Sequence, residues 1–187
     1  MTSFKATVTA LTFALASTTA FAAAHSENPM VGGAEMLVER NIVENAVNSP
    51  IHTPLVAAVQ AADLVETLQG EGPFTVFAPV NDAFAALPEG TVETLLKPEN
   101  KAMLQKVLTA HVVAGDWSSA DIIAAAQSSA DGFYHFEAVS GDALSAQVRG
   151  DNVYIYDESG NAALVTVADV DQSNGVIHVV NAVLVPK

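Results

Sequence analysis

The chain has 187 residues, no cysteine and a formal net charge of −14 at pH 7. Half of its residues are hydrophobic, which excludes a disordered chain, and the absence of cysteine excludes disulfides and a lipoprotein anchor. Because like charges repel, the acidic balance argues against nucleic acid and anionic lipid surfaces as partners, although solubility alone also explains it.

The N-terminal 24 residues have the features of a signal peptide. Lys5 precedes an apolar run over residues 6–16, and the small residues that follow fit the cleavage rule after Ala22 or Ala24. The run is shorter than the roughly 20 residues that span a bilayer. We therefore expect a signal peptide over residues 1–24, export to the periplasm, cell surface or extracellular space, and no membrane insertion after cleavage.

Residues 25–37 are polar and contain glycine and proline, which predicts a flexible lead-in to a single domain over residues 38–187. Helical periodicity then dominates the first half of this domain. The predicted helices are Met36–Val47, one beginning at Thr53-Pro54, Asp63–Leu68, Ala83–Leu87 capped by Asn81 or Asp82, Thr91–Leu96, one from Pro98 to about Thr109 with Met103 facing inward, and Ile122–Gln127 capped by Ser118 and Asp121.

After residue 130 the hydrophobic period changes from about 3.6 residues to about 2, which predicts strands. Ser173-Asn174-Gly175 is typical of a hairpin turn. Helices in the first half and antiparallel strands in the second indicate the α+β class. The predicted strands are Phe74–Ala78, Leu144–Val148, Val153–Tyr156, Ala163–Val170 and a long final strand Val176–Val185.

Three segments resemble the fasciclin domain family. Residues 72–84, GPFTVFAPVNDAF, resemble its first signature, and residues 174–180, NGVIHVV, followed by Leu184-Val185-Pro186, resemble its second. Between them, residues 107–115, VLTAHVVAG, resemble the segment that usually contains a Tyr-His pair. The resemblance covers about residues 41–186. It implies a twisted antiparallel β wedge flanked by helices of the N-terminal half.

The resemblance also implies a function, that of a secreted or surface-displayed adhesion module. Its partners would be surface protein or glycan ligands. In animal members, two sites are implicated in integrin binding: the Tyr-His pair and an Asp-Ile pair. These sites correspond to Ala110-His111, where alanine replaces the tyrosine, and to Asp169-Val170. We therefore name Ala110, His111, Asp169 and Val170 as candidate partner-binding residues.

The polar residues of the two signatures are interpreted as structural. His178 lies in an apolar strand, so we expect it to be buried and hydrogen-bonded near Thr75 or Asn81; the alternative is a ligand or a base. His111 follows a helix end and is expected to be a structural pin. The residues with expected structural roles in the signatures are Thr75, Asn81, Asp82, Asn174, Gly175 and His178.

The sequence contains no recognised catalytic motif and no phosphate-binding loop, so neither enzymatic activity nor a cofactor is expected. A second hypothesis is a periplasmic carrier of a small ligand or of copper. Cleavage of the leader would place His25 at or near the new amino terminus. A free amine, backbone amides and an imidazole there suit the square-planar preference of Cu(II).

Overall fold

The structure is a computed structural model that describes residues 28–186. The predicted signal peptide and the proposed copper ligand His25 lie outside this range. Within it, two short strands, β1 (Met30–Val31) and β2 (Ala34–Glu35), form a hairpin. This hairpin differs from the flexible lead-in predicted over residues 25–37. Val31 and Met36 are only 1% and 2% exposed, because they complete the core beneath the first helices.

Seven α-helices are described in residues 28–186, and most lie close to their predicted positions. The first begins at Ile42 rather than Met36, because the side chain of Asn41 accepts a hydrogen bond from the backbone of Glu44 and caps the helix there. The helices are α1 (Ile42–Asn48), α2 (Thr53–Ala61), α3 (Val65–Leu68), α4 (Asn81–Ala85), α5 (Thr91–Leu95), α6 (Lys101–Thr109) and α7 (Ser119–Ser128).

Two details of the helices contradict the predictions. Asn81 and Asp82 lie inside α4 and do not cap it: Val80 is the N-cap, and it makes no side-chain hydrogen bond. Met103 is 60% exposed rather than inward-facing, because Leu104, Val107 and Leu108 form the buried stripe of α6. One half of the predicted capping box of α7 is present, since Ser118 accepts a hydrogen bond from the backbone of Asp121. The carboxylate of Asp121 accepts from the hydroxyl of Ser118 and not from its backbone.

A seven-stranded sheet forms the centre of the molecule. Its order is β4-β3-β9-β8-β7-β6-β5. The pairing of β3 with β9 is parallel, so the sheet is mixed and not wholly antiparallel as predicted. The strands are β3 (Phe74–Pro79), β4 (Val112–Ala114), β5 (Phe133–Glu137), β6 (Ala143–Arg149), β7 (Asn152–Tyr156), β8 (Ala162–Gln172) and β9 (Gly175–Val180).

The two edges of the sheet approach each other. A bridge joins Val113 to Ala138, and the backbone of Val139 donates to Val112 at 2.7 Å, so the segment after β5 returns to β4. The last strand ends at Val180 and not at Val185, and the chain then crosses to α6 without further ladder pairing. The observed α+β class, with helices beside one large sheet, confirms the predicted class.

Helices pack on both sides of the central strands. Alternation along β3 directs Val76 and Ala78 toward the core shared with α1 and α2, whereas Phe77 enters a second core that includes Ile122 of α7. Helix α7 covers β5 and β6 through this second core. The opposite face of β5 and β6 has none of these core residues and faces outward.

Candidate functional site

The strands of the two signatures pack directly together at the start of β3 and β9. Gly175 is the register partner of Phe74 in the parallel pair. A Cβ atom at Gly175 would lie 1.9 Å from the carbonyl oxygen of Phe74, and one at Gly72 would lie 2.2 Å from that of Asn174. Since these neighbours are backbone atoms and cannot rotate away, the approach requires glycine at both positions.

Asn174 connects the second signature to the helices. Its side chain is buried, its Oδ1 accepts from the backbone of Ile42 at 3.1 Å, and its Nδ2 donates to the carbonyls of Leu68 at 2.8 Å and Gly70 at 3.0 Å. The predicted hairpin turn therefore also joins α1 and α3 to the sheet through one amide.

His178 and Thr75 hold the loop that leads into α7. His178 is 1% exposed; its Nε2 bonds the carbonyl of Trp117 at 2.8 Å, and its Nδ1 accepts from the backbone of Asp169 at 3.2 Å. Thr75 donates to Gly115 at 2.8 Å and accepts from the backbone of Trp117 at 2.9 Å. His178 is buried as predicted, but it does not bond Thr75 or Asn81 directly. The backbone of Trp117 bonds both His178 and Thr75 and so connects the two signature strands on one side of the sheet.

The protonation state of His178 follows from these bonds. Nδ1 accepts a hydrogen bond, so the proton of the neutral ring is on Nε2 and is donated to Trp117. Burial lowers the pKa of this imidazole. Both nitrogens are bonded to the backbone and the ring stacks on Phe77, so His178 is positioned as a structural group and not as a base.

We expect His178→Ala to destabilise the domain by about 2 to 3 kcal/mol, because the amide of Asp169 and the carbonyl of Trp117 lose their partners. For a domain of this size the melting temperature should fall by roughly 5 to 10 °C, measured by circular dichroism. His135→Ala is the control, since that imidazole is exposed and bonds only the exposed Asp131. An unchanged melting curve for His178→Ala would contradict the structural role.

His111 joins α6 to the C-terminal segment. Its Nδ1 lies 2.8 Å from the carbonyl of Val107, and its Nε2 accepts from the backbone of Leu184 at 2.9 Å, which places the proton on Nδ1. Burial lowers the pKa of the ring to about 4. His111 is therefore an uncharged side chain whose two hydrogen bonds hold the segment after β9 against α6.

Three of the four candidate partner-binding residues do not reach the surface. Ala110 and His111 are each 2% exposed and Val170 is fully buried, so direct contact of these side chains with a partner does not fit their burial. Asp169 is exposed at a bulge of β8, with a φ of 55°. Its carboxylate accepts from the backbone of Ser119 at 2.6 Å and from the hydroxyl of Ser119. A partner contact at Asp169 stays a prediction.

Asn81 and Asp82 have different surroundings although they are adjacent. The Nδ2 of Asn81 donates to the carbonyl of Pro50 at 3.0 Å, and its Oδ1 lies 3.4 Å from the hydroxyl of Thr53. These contacts fasten the start of α4 to the start of α2. Asp82 is exposed in the first turn of α4, where a carboxylate interacts favourably with the helix dipole.

A row of aromatic side chains on the outward side of β5, β6 and β7 was not predicted from the sequence. It is called the aromatic face below. Within the row, Phe133 stacks on His135 at 6.0 Å and meets Tyr156 edge-on at 5.8 Å. The guanidinium of Arg149 lies 5.6 Å from the ring centroids of both Tyr154 and Tyr156. The aromatic face consists of Phe133, His135, Gln147, Arg149, Tyr154 and Tyr156.

Comparison with known proteins identifies the family. The family model described as the fasciclin domain matches residues 50–186. The chain belongs to the fasciclin domain family. This membership confirms the resemblance inferred from the two signatures, and the match includes both of them.

Proteins from Synechocystis and from pig are similar to this chain. Protein sll1483 of Synechocystis is 51% identical over 145 residues, which cover 78% of this chain and 73% of that protein. The pig transforming growth factor-beta-induced protein ig-h3 is 39% identical over 132 residues, 71% of this chain but 17% of that protein. In the latter case the similarity therefore concerns one part of a much longer polypeptide.

A solved structure shows the same fold. It is a pair of fasciclin (FAS1) domains from the insect cell adhesion molecule Fasciclin I, with a TM-score of 0.69 and 16% identity. The match covers 78% of this chain and 50% of that chain. At this identity the likeness establishes the fasciclin fold, and it supports the mixed sheet with flanking helices described above.

The fasciclin fold leaves one apolar cleft near the C-terminal segment. It has a volume of about 230 Å³ and is bordered by α5, α6 and residues 183–186, including the exposed Met103 and Val185. A smaller apolar cavity of about 40 Å³ lies among α1, α2 and α3. Within residues 28–186, no group of three His, Asp or Glu side chains could hold a metal ion, and no helix is long and apolar enough to cross a membrane.

Proposed function

We propose that this chain is an exported, non-enzymatic recognition module that mediates contacts at the cell surface, between cells or with matrix through protein or glycan ligands. The proposal is carried by the observation that the buried polar side chains of this region are already hydrogen-bonded to the backbone. His111 and His178 each have both ring nitrogens bonded to the backbone, and Asn174 makes three backbone bonds. These groups stabilise the fold and offer no reactive atom to a substrate, which leaves the outer surface for recognition.

Two further observations support this function. The predicted signal peptide over residues 1–24 supports export. The solved structure of the same fold comes from an insect cell adhesion molecule. The similar part is 73% of sll1483 but 17% of ig-h3, which is consistent with a module that also occurs within longer chains.

Retention of the purified chain on native envelope material tests the proposal. We expect the folded chain to bind intact cells or isolated extracellular polymer and to be released by excess unlabelled chain, and we expect a deletion strain to lose attachment or biofilm. Heat-unfolded chain is the control for nonspecific adsorption. Failure of the folded chain to bind any such material, together with normal attachment of the deletion strain, would refute the function.

A further inference from the structure

We propose that the aromatic face binds a neutral glycan. This inference rests on the proposed function and assigns that recognition a place and a ligand chemistry. Strand pairing brings the row together: Phe133 is opposite Gln147, and Gln147 is opposite Tyr154, while Ser145 is opposite both His135 and Tyr156. Side chains that are opposite one another in a sheet point to the same side, so these residues share one surface.

The opposite side of the same strands is already occupied. Tyr134 and Phe136 of β5 and Leu144 and Ala146 of β6 pack into the core with Ile122 of α7. By alternation, Phe133, His135 and Gln147 face away from α7. The aromatic face therefore has no helix over it in the described part of the chain. The rings of Phe133, Tyr154 and Tyr156 are half-buried and that of His135 is exposed.

The dimensions of the row suit a short stretch of a linear polymer. Phe133 and His135 lie on β5, Gln147 and Arg149 on β6, and Tyr154 and Tyr156 on β7. Three adjacent strands span two interstrand spacings, or about 10 Å. Ring contacts of 5.6 to 6.0 Å continue across this distance without a gap. The row is continuous but not flat, since Phe133 and Tyr156 meet at 72°, and it offers partly exposed rings at several points to one extended ligand.

Hydrogen-bonding groups lie between the rings. The Oε1 of Gln147 accepts from the Nε of Arg149 at 2.6 Å and from the hydroxyl of Tyr156 at 3.3 Å. Within residues 28–186, the Nε2 of Gln147, the terminal nitrogens of Arg149 and the hydroxyl of Tyr154 make no hydrogen bond. The row thus presents donors that have no acceptor among the described residues and that a ligand could engage.

This combination matches the chemistry of a sugar. A pyranose ring has an apolar face of C–H groups, whose hydrogens are attracted to the electron-rich face of an aromatic ring, and an edge of hydroxyls. Half-exposed rings alternating with free donors can satisfy both parts of such a ligand. Aromatic residues and arginine are also enriched at protein interfaces, so a protein ligand is the alternative outcome of the test below.

Charge selects a neutral glycan over an anionic one. Residues 111–186 contain ten acidic residues and a single basic residue, Arg149. That one guanidinium already lies over Tyr154 and Tyr156. A polymer of uronic acids or sulfated sugars would meet net repulsion with one cation to offset it, whereas a neutral polymer experiences no such repulsion.

Titration calorimetry of the purified chain with cellohexaose, laminarihexaose and chitohexaose tests the inference, with a galacturonic acid hexamer as the anionic probe. We expect at least one neutral hexamer to bind, and Tyr154→Ala and Tyr156→Ala each to weaken binding about tenfold. Tyr154→Phe keeps the ring and should weaken it less. Met103→Ala, an exposed apolar residue on the distant cleft, is the matched control and should bind like the unaltered chain.

The outcomes separate this inference from the proposed function. Absence of binding by all neutral hexamers, binding of the galacturonic acid hexamer alone, or unchanged affinity in both tyrosine variants with intact thermal melting would overturn the neutral-glycan site. If the chain still binds envelope material and the two variants bind it equally well, recognition lies elsewhere, on a protein ligand or another surface. The function itself is refuted when the unaltered chain binds no envelope material and the deletion strain attaches normally.

Discussion

Gly175→Ala is expected to prevent the domain from folding, with a loss of more than about 4 kcal/mol in the free energy of unfolding. The new methyl group would lie 1.9 Å from the carbonyl oxygen and 2.7 Å from the amide nitrogen of Phe74, within the backbone of β3. Relief of this clash requires separation of β3 from β9, the parallel pair that joins the two signatures. Urea unfolding monitored by circular dichroism measures the effect.

Gly160→Ala is the matched control for Gly175→Ala. Gly160 has a φ of 83° in the turn before β8, and a Cβ atom there would meet nothing within 4 Å. Its replacement therefore costs only the backbone strain of a left-handed residue, about 1 kcal/mol. Equal effects of the two substitutions would show that close packing of the signature strands is not what Gly175 provides.

Acidification below pH 6.5 is expected to destabilise the domain through its buried histidines. His52, His111 and His178 are buried, and burial lowers the pKa of each. Because their folded pKa values lie below the unfolded value of 6.5, the unfolded state binds more protons as the pH falls, and stability decreases. Between pH 6.5 and about 4, His111 alone should remove about 3 kcal/mol.

Urea unfolding at a series of pH values between 8 and 4 measures this dependence. The slope should include about one proton from His111, with contributions of the same sign from His52 and His178, and His111→Gln should reduce it by about one proton. Glutamine can both donate to Val107 and accept from Leu184, so this variant keeps the bonds without the titration. A flat profile between pH 7 and pH 5 would contradict the burial of neutral histidines.

The sequence predicted the fold class and most helices because their signals are local. The hairpin at Asn174-Gly175, the cap at Ser118 and the alternation of β7 are each encoded within a few residues. The parallel pairing of β3 with β9 is not local, since about 100 residues separate the strands, and only their register reveals it. Strand β4 was not predicted, because the alternation of buried and exposed side chains cannot be recognised in three residues that directly follow α6.

The surface was harder to predict than the interior. Burial of His178 follows from its apolar strand, but its bonds to Trp117 and Asp169 depend on a loop and a bulge whose positions are set by tertiary packing. The alternation of Tyr154 and Tyr156 with buried Val153 and Ile155 was a signal for an aromatic surface. That Phe133 and Arg149 belong to the same surface could be recognised only from the register of β5, β6 and β7.

Backbone amide shifts recorded by NMR during titration of the folded chain with the tightest-binding neutral hexamer test the account most directly. We predict that perturbations concentrate on β5, β6 and β7, around Gln147 and Tyr154, and are small at the buried signature residues. Perturbations centred on residues 110–111 and 169–170 instead would contradict the account, because recognition would then involve the signature region that we assign to holding the fold.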